Sequence, residues 1–293
     1  MTDYRYPDAI VETDWLAANL DDASLRIFDC TVHLLYDEAP PGKPYRVKSG
    51  REDYDRGHIP GADFLDLQGE LSNTDSPYSF TLPSADQFAA AMAKHGVGSS
   101  TRVILYSTAN AQWASRIWWM LRAFGFDNAA LLNGGFQKWS AEGRPVSTAP
   151  AATPAPGDFT ARPRPGLFTG KEEVKAAIGS AAACTINALA PELHTGENAR
   201  YGRPGRVPGS VNIPAASLLN PADNTFRPAE EVAAIFESRG AAPQNRMIVY
   251  CGGGIAATLD AFLLYQLGYE DITVYDDSMS QWASDESLPI EVG

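Results

Sequence analysis

The sequence predicts an α/β protein of two tandem domains, each a mainly parallel sheet flanked by helices. Three observations point there. Short motif blocks recur in the same order in both halves, a proline-rich seam separates the halves, and β-rich runs alternate with helical patterns within each half. At 293 residues the chain is long enough for about two domains. With 44% hydrophobic and 20% charged residues it can build a core in each.

The repeat has three blocks. Gly57-His58-Ile59-Pro60-Gly61-Ala62 recurs as Gly205-Arg206-Val207-Pro208-Gly209-Ser210. Val103-Ile104-Leu105-Tyr106-Ser107 recurs as Met247-Ile248-Val249-Tyr250-Cys251. Gly125-Phe126-Asp127 and Trp139 recur as Gly268-Tyr269-Glu270 and Trp282. One short match is weak evidence; three in the same order argue for duplication. The seam, residues 147–166, holds Pro150, Pro154, Pro156, Pro163 and Pro165 and can continue neither a helix nor a central strand. The predicted organisation is a first domain over 1–146, a semi-extended linker over 147–166 and a second domain over 167–293.

In the first half, Leu25–Asp29 reads as a buried strand. Ser84 to Lys94 opens on a helix cap and sets Phe88, Ala91 and Met92 on one face. Val103–Tyr106 is a second buried strand, Ala114 to Phe124 is apolar nearly all round and so predicts a buried helix, and Ala129–Leu132 is a later strand. The second half follows the same plan. It has strands at Thr185-Ile186, Met247–Tyr250 and Ile272–Tyr275, and helices over Ala229–Glu237 and Ile255–Leu267. Such alternation implies parallel strands with helices on both faces.

Charge and cysteine content narrow the function. Lys and Arg number 23 against 36 Asp and Glu, a net charge of −13, which disfavours nucleic acid as a partner. No apolar run approaches the roughly 20 residues of a membrane span, and the start, Met1-Thr2-Asp3-Tyr4-Arg5, has no secretory pattern. Cys30, Cys184 and Cys251 form neither a disulfide framework nor a metal-ligand pattern, so a reducing, cytoplasmic setting without a metal is expected.

Ligands of open α/β sheets bind at the carboxyl ends of the strands. After Met247–Tyr250 comes Cys251-Gly252-Gly253-Gly254-Ile255-Ala256 and then a helix. A nucleophile, a glycine turn and a helix N-terminus in that order can converge several N–H groups on one sulfur and stabilise its thiolate. In the first half the matching residue is Ser107, followed by Thr108-Ala109-Asn110, with neither glycines nor a neighbouring histidine. The first domain is therefore expected to be scaffold and the second catalytic. Cys30 and Cys184 lie beside strands without a glycine turn and are expected to be core thiols. A cysteine phosphatase would need an arginine six residues after the nucleophile, where Ala257 stands.

The tandem halves, the Gly-x-x-Pro-Gly element in each, the Cys-x-x-Gly-x-Ala loop of the second and Leu131-Leu132-Asn133-Gly134-Gly135-Phe136-x-x-Trp139 of the first together resemble the two-domain rhodanese-type sulfurtransferases. The likeness runs from about Val11 to Pro289. It implies a persulfide on Cys251, formed from thiosulfate or 3-mercaptopyruvate and passed to cyanide, a small thiol or a thioredoxin-like protein, with no cofactor. The alternative is a non-enzymatic persulfide carrier that docks a protein partner.

The sequence departs from that family at informative places. Gly252 and Gly253 stand where thiosulfate-type members carry basic residues, and Gly253 stands where mercaptopyruvate-type members carry a hydroxyl. The family's Asp-Ala-Arg segment, with its second arginine, reads Asn187-Ala188-Leu189-Ala190-Pro191-Glu192-Leu193-His194. Charge for an anionic donor must then come from His194, Arg200, Arg203 or Arg206, with Arg200 and Arg203 favoured because Arg206 replaces His58 of the repeat. The amides of Gly252, Gly253, Gly254, Ile255 and Ala256 are expected to hold the terminal sulfur. His33 is expected to face the cleft between the domains.

Overall fold

The computed structural model describes residues 3–293. The first half contains β1 (Ile10–Val11), α1 (Thr13–Ala18), β2 (Leu25–Asp29), β3 (Val32–Leu35), β4 (Arg46–Ser49), α2 (Arg51–Arg56), β5 (Asp63–Phe64), α3 (Ala85–Lys94), β6 (Arg102–Tyr106), α4 (Gln112–Ala123), β7 (Ala129–Leu132) and α5 (Gly135–Ala141). The second contains β8 (Phe168–Thr169), α6 (Lys171–Ala177), β9 (Ala183–Asn187), α7 (Pro191–Thr195), β10 (Val211–Asn212), α8 (Ala229–Ser238), β11 (Arg246–Tyr250), α9 (Ala256–Gln266), β12 (Ile272–Tyr275) and α10 (Ser278–Trp282).

Each half forms a five-stranded, all-parallel sheet, and the two strand orders are the same when the halves are superposed in sequence: β1-β7-β6-β2-β5 and β8-β12-β11-β9-β10. The long strands and helices fall where periodicity placed them. The two-residue edge strands were not foreseen, because so short a run carries no period. Each sheet alternates its side chains between two faces. Val103 and Leu105 join the large cluster shared by both halves, while Ile104 and Tyr106 join an outer cluster around Trp139. In the second half Met247 and Val249 face the shared core, and Ile248 and Tyr250 face an outer cluster around Trp282.

The repeated Gly-x-x-Pro-Gly element is a turn tied to the central strand. The amide of Ile59 donates to the Tyr106 hydroxyl at 3.3 Å, and that of Val207 donates to the Tyr250 hydroxyl at 3.1 Å. Pro60-Gly61 and Pro208-Gly209 occupy the corners, closed by Ala62 N–H to Ile59 C=O and Ser210 N–H to Val207 C=O.

The halves meet along α4 and α9, which occupy equivalent positions in the two sheets. Ser115 and Thr258 share a hydroxyl–hydroxyl hydrogen bond of 2.9 Å there, and Trp118 packs edge-on against Phe262 with centroids 4.7 Å apart. Segment 147–166 has no helix, and apart from the Ser147–His58 bridge it has no strand pairing. It is laid against the first half: Phe159 is buried, and the amides of Gly157, Arg162 and Arg164 donate to Ala93, Phe124 and Ala123 carbonyls.

One element has no counterpart in the repeat. β3 and β4 form an antiparallel hairpin pairing Val32 with Ser49 and Leu35 with Arg46. Its base packs on the first half, and its loop, residues 36–45, reaches the second. His33 sits on this hairpin with Nε2 paired to Asp53 of the first half.

Candidate active site

β11 is the central strand of the second sheet, and Cys251 follows its carboxyl end. Chain connections leave β9 toward one edge and β11 toward the other, so a crevice opens between these two strand ends, where Tyr250 is in register with Asn187. Cys251 lies at this crevice, 2% exposed. The loop that follows it curls into α9 with Gly254 at φ +70°, a left-handed conformation in which a side chain would also overlap the Asp276 carbonyl.

The loop is anchored from behind. Ser278 sits at φ +48°, an uncommon conformation for a residue with a side chain, and this aims its hydroxyl at the loop. Its Oγ accepts from the amides of Cys251 (3.0 Å) and Gly254 (3.1 Å) while donating to the Tyr275 carbonyl (2.7 Å). The Ser280 amide and hydroxyl both donate to the Gly252 carbonyl, at 2.9 and 2.7 Å. The Gly254 amide is therefore spent on Ser278, which corrects the expectation that it faces the sulfur. Among the described residues, the amides of Gly252, Gly253, Ile255 and Ala256 have no acceptor and remain available.

The first half closes the loop from the front. Arg116, fully buried in α4, donates to the Gly254 carbonyl (3.1 Å), to the Phe80 carbonyl (2.6 Å) and to the Asp276 carboxylate (2.6 Å). Phe80 holds φ +67°, which turns its carbonyl onto the guanidinium. The Leu82 amide donates to the second Asp276 oxygen at 2.7 Å. Tyr45 and Tyr201 lie across the glycines. A Cβ on Gly252 would overlap the Tyr201 hydroxyl, and one on Gly253 would come within 3.1 Å of the Tyr45 hydroxyl. Burial pushes the Tyr201 phenol well above its ordinary pKa, with Tyr45 and Cys251 adding to the rise, and burial does the same for Tyr45, so both rings stay protonated.

The same architecture is found in known proteins. The model of the Rhodanese-like domain matches residues 12–142 and 194–285. The chain belongs to the rhodanese-type sulfurtransferases. It is 32% identical to the 3-mercaptopyruvate sulfurtransferase of Escherichia coli K12 over 96% of this chain and 97% of that one. It is 31% identical to the thiosulfate sulfurtransferase of Rattus norvegicus over 94% and 91%. Among solved structures, SseA of Escherichia coli, a 3-mercaptopyruvate enzyme of the rhodanese fold, superposes with a TM-score of 0.79 at 31% identity, covering 92% of this chain and 98% of that one.

Within this rhodanese architecture the charged candidates separate. Arg203 is a strut: its guanidinium donates to the carbonyls of Trp282, Ala283, Asp285 and Leu288 at 2.6 to 3.1 Å, which ties the C-terminal segment down and leaves no fork free for an anion. Arg206 pairs with Glu291 and with the Gly293 carbonyl. His194 accepts from the Asn187 amide at 3.2 Å, and burial, helped by Arg206, lowers its pKa to about 4. It is neutral near pH 7 and supplies no positive charge, contrary to the role expected for it. Arg200 remains, with its guanidinium carbon 4.0 Å from the centroid of the Tyr36 ring, next to Tyr45.

The first-half counterpart is closed. The Ser107 hydroxyl is bonded to the Asn110 carbonyl, and Asn224 of the second half donates to the Ala109 carbonyl at 2.7 Å. Cys30 and Cys184 are buried, and burial raises both thiols. Among the described residues no helix is long and apolar enough to cross a membrane.

Proposed function

We propose that the second-domain loop transfers a sulfane sulfur through a persulfide on Cys251. The observation that carries this reading is a cysteine at the end of the central strand, followed by a loop whose Gly252, Gly253, Ile255 and Ala256 amides have no acceptor among the described residues. In the first step the Cys251 thiolate attacks the outer sulfur of the donor. The Cys251 S–S bond forms, the donor's bond to that sulfur breaks, and its electron pair leaves with the remaining anion, sulfite when the donor is thiosulfate. The four free amides hold the terminal sulfur as it takes up negative charge. In the second step cyanide, a small thiol or a thioredoxin-like protein thiolate attacks that sulfur and restores Cys251. Splitting the transfer in this way lets donor and acceptor use the site in turn.

The donors are thiosulfate or 3-mercaptopyruvate, a choice supported by the relatives named for each. Arg200 supplies the positive charge that draws the anionic donor in. Three free thiols and an acidic surface suit a reducing cytoplasm and a small-molecule or protein-thiol partner, without nucleic acid or membrane. The test is turnover of thiosulfate with cyanide by the intact chain and by Cys251→Ser. The variant should fold and produce no thiocyanate; thiocyanate production at the wild-type rate would rule the mechanism out.

A further inference from the structure

The residue after a nucleophile in such a loop can present a side chain to the donor; here that residue and the next are glycines, and two tyrosines fill the space. Tyr201 comes from the segment after α7, and Tyr45 from the hairpin loop that only the first half has. The Tyr201 hydroxyl rests where a Gly252 side chain would be, and the Tyr45 hydroxyl lies beside the corresponding position at Gly253. The Tyr45 phenol has the Ser280 hydroxyl as a neighbour, whereas the phenol of half-buried Tyr201 has no acceptor among the described residues. A phenol O–H on a cavity wall, without an acceptor among the described residues and held against the residue next to the nucleophile, is free to donate to a ligand.

That donor opens onto a cavity of about 210 Å³ lined by Lys43, Tyr45, Tyr78, Tyr201 and Ser280. Lys43 Nζ reaches the Pro77 carbonyl at 2.7 Å at the rim, and Arg200 stands over Tyr36 beside it. The cavity therefore combines phenol and hydroxyl donors with the Lys43 cation, which fits a small oxyanion rather than an apolar group. Ser280 joins it to the loop by its bond to the Gly252 carbonyl.

We propose that Tyr201, assisted by Tyr45, is the hydrogen-bond donor to the oxyanion end of the sulfur donor, in place of the side chains absent from positions 252 and 253. This rests on the persulfide reading and adds the residue that recognises the leaving group. With thiosulfate, the sulfane–sulfonate bond breaks as the Cys251 S–S bond forms, and sulfite departs with the electron pair. The phenol keeps its proton throughout and donates to a sulfonate oxygen whose charge grows as the bond breaks. No oxidant, reductant or proton transfer is required. Tyr201 touches the donor only in the loading half of the cycle, because the acceptor attacks after sulfite has gone.

The two halves of the cycle test this separately. Tyr201→Phe keeps the ring over Gly252 and removes only the O–H. Rapid-mixing measurement of persulfide formation from thiosulfate should show loading slowed about 10-fold or more. Discharge of the preloaded persulfide by cyanide should keep the wild-type rate. Tyr45→Phe should slow loading by a smaller factor, again without changing discharge. Loading at the wild-type rate in Tyr201→Phe, or an equal slowing of both half-reactions, overturns the proposal, because the first denies the contact and the second marks a purely structural ring. Failure of the wild-type protein to load any sulfur would instead overturn the persulfide reading itself, so the two failures are distinct.

Discussion

Arg116 of the first half donates to the carbonyl of Gly254 in the second, at 3.1 Å, from a side chain with no solvent exposure. The same guanidinium holds Asp276 and Phe80, so one residue of the first half fixes the front of the Cys251 loop and the strand end beside it. This gives the first half a mechanical part in the proposed reaction. Arg116→Met should lower kcat for sulfur transfer with little change in the donor KM, since the anion-facing groups are untouched. It should also cost about 3 kcal/mol of stability, because the Asp276 carboxylate loses its buried partner. Steady-state kinetics paired with denaturant unfolding would show both; a raised KM with unchanged kcat would argue against a positioning role.

Gly252 is required by a neighbour rather than by its own backbone. Gly252→Ala should reduce sulfur loading strongly, since a Cβ there overlaps the Tyr201 hydroxyl. Combining it with Tyr201→Ala should recover part of the lost stability. A double-mutant cycle should give a coupling of about 1 kcal/mol or more, and an additive cycle would mean that the two residues do not meet.

Arg200 and Arg203 should part company in mutagenesis although only three positions separate them in sequence. Arg200→Ala should raise the apparent KM for thiosulfate with kcat nearly retained. Arg203→Ala should leave that KM alone and lower the melting temperature, because four backbone carbonyls lose their donor. Kinetics and thermal melts on the same preparations decide the matter.

Away from the site, His95 is clamped between Asp63 (2.7 Å) and Glu70 (2.8 Å). Burial alone would lower its pKa, but the two carboxylates outweigh burial and raise it to about 9 from an ordinary 6.5. The raised value means that its stabilising contribution is complete below pH 6.5 and is lost as pH climbs through about 9. Unfolding free energy should therefore fall across that window. His95→Gln should flatten the slope there, and an unchanged slope would remove His95 as its source.

The duplicated frame was legible because strand alternation, helix faces and the Pro-Gly turns are local signals that appear twice. Cys251 and its glycines were legible because their chemistry lies in consecutive residues. Tyr45 was not, since the hairpin that carries it has no counterpart in the repeat. Tyr201 lies between Arg200 and Arg203, and nothing in its sequence neighbours shows that its hydroxyl lands beside Gly252. Arg116 was hidden by its setting, a helix so apolar that its one buried cation drew no attention. An arginine set directly before the apolar run Ile117-Trp118-Trp119-Met120-Leu121 is the signal that could have found it. His194 and Arg203 misled for the opposite reason: their residue types suit an anion, but folding spends them on Asn187 and on the C-terminal carbonyls.

The central claim is that Cys251 carries the transferred sulfur. Intact-protein mass spectrometry after incubation with thiosulfate, followed by cyanide, tests it most directly. The wild-type chain should gain the mass of one sulfur atom, mapped to the Cys251 peptide, and lose it to cyanide, while Cys251→Ser gains nothing. A sulfur adduct on Cys30 or Cys184, or one that persists in Cys251→Ser, would contradict the account.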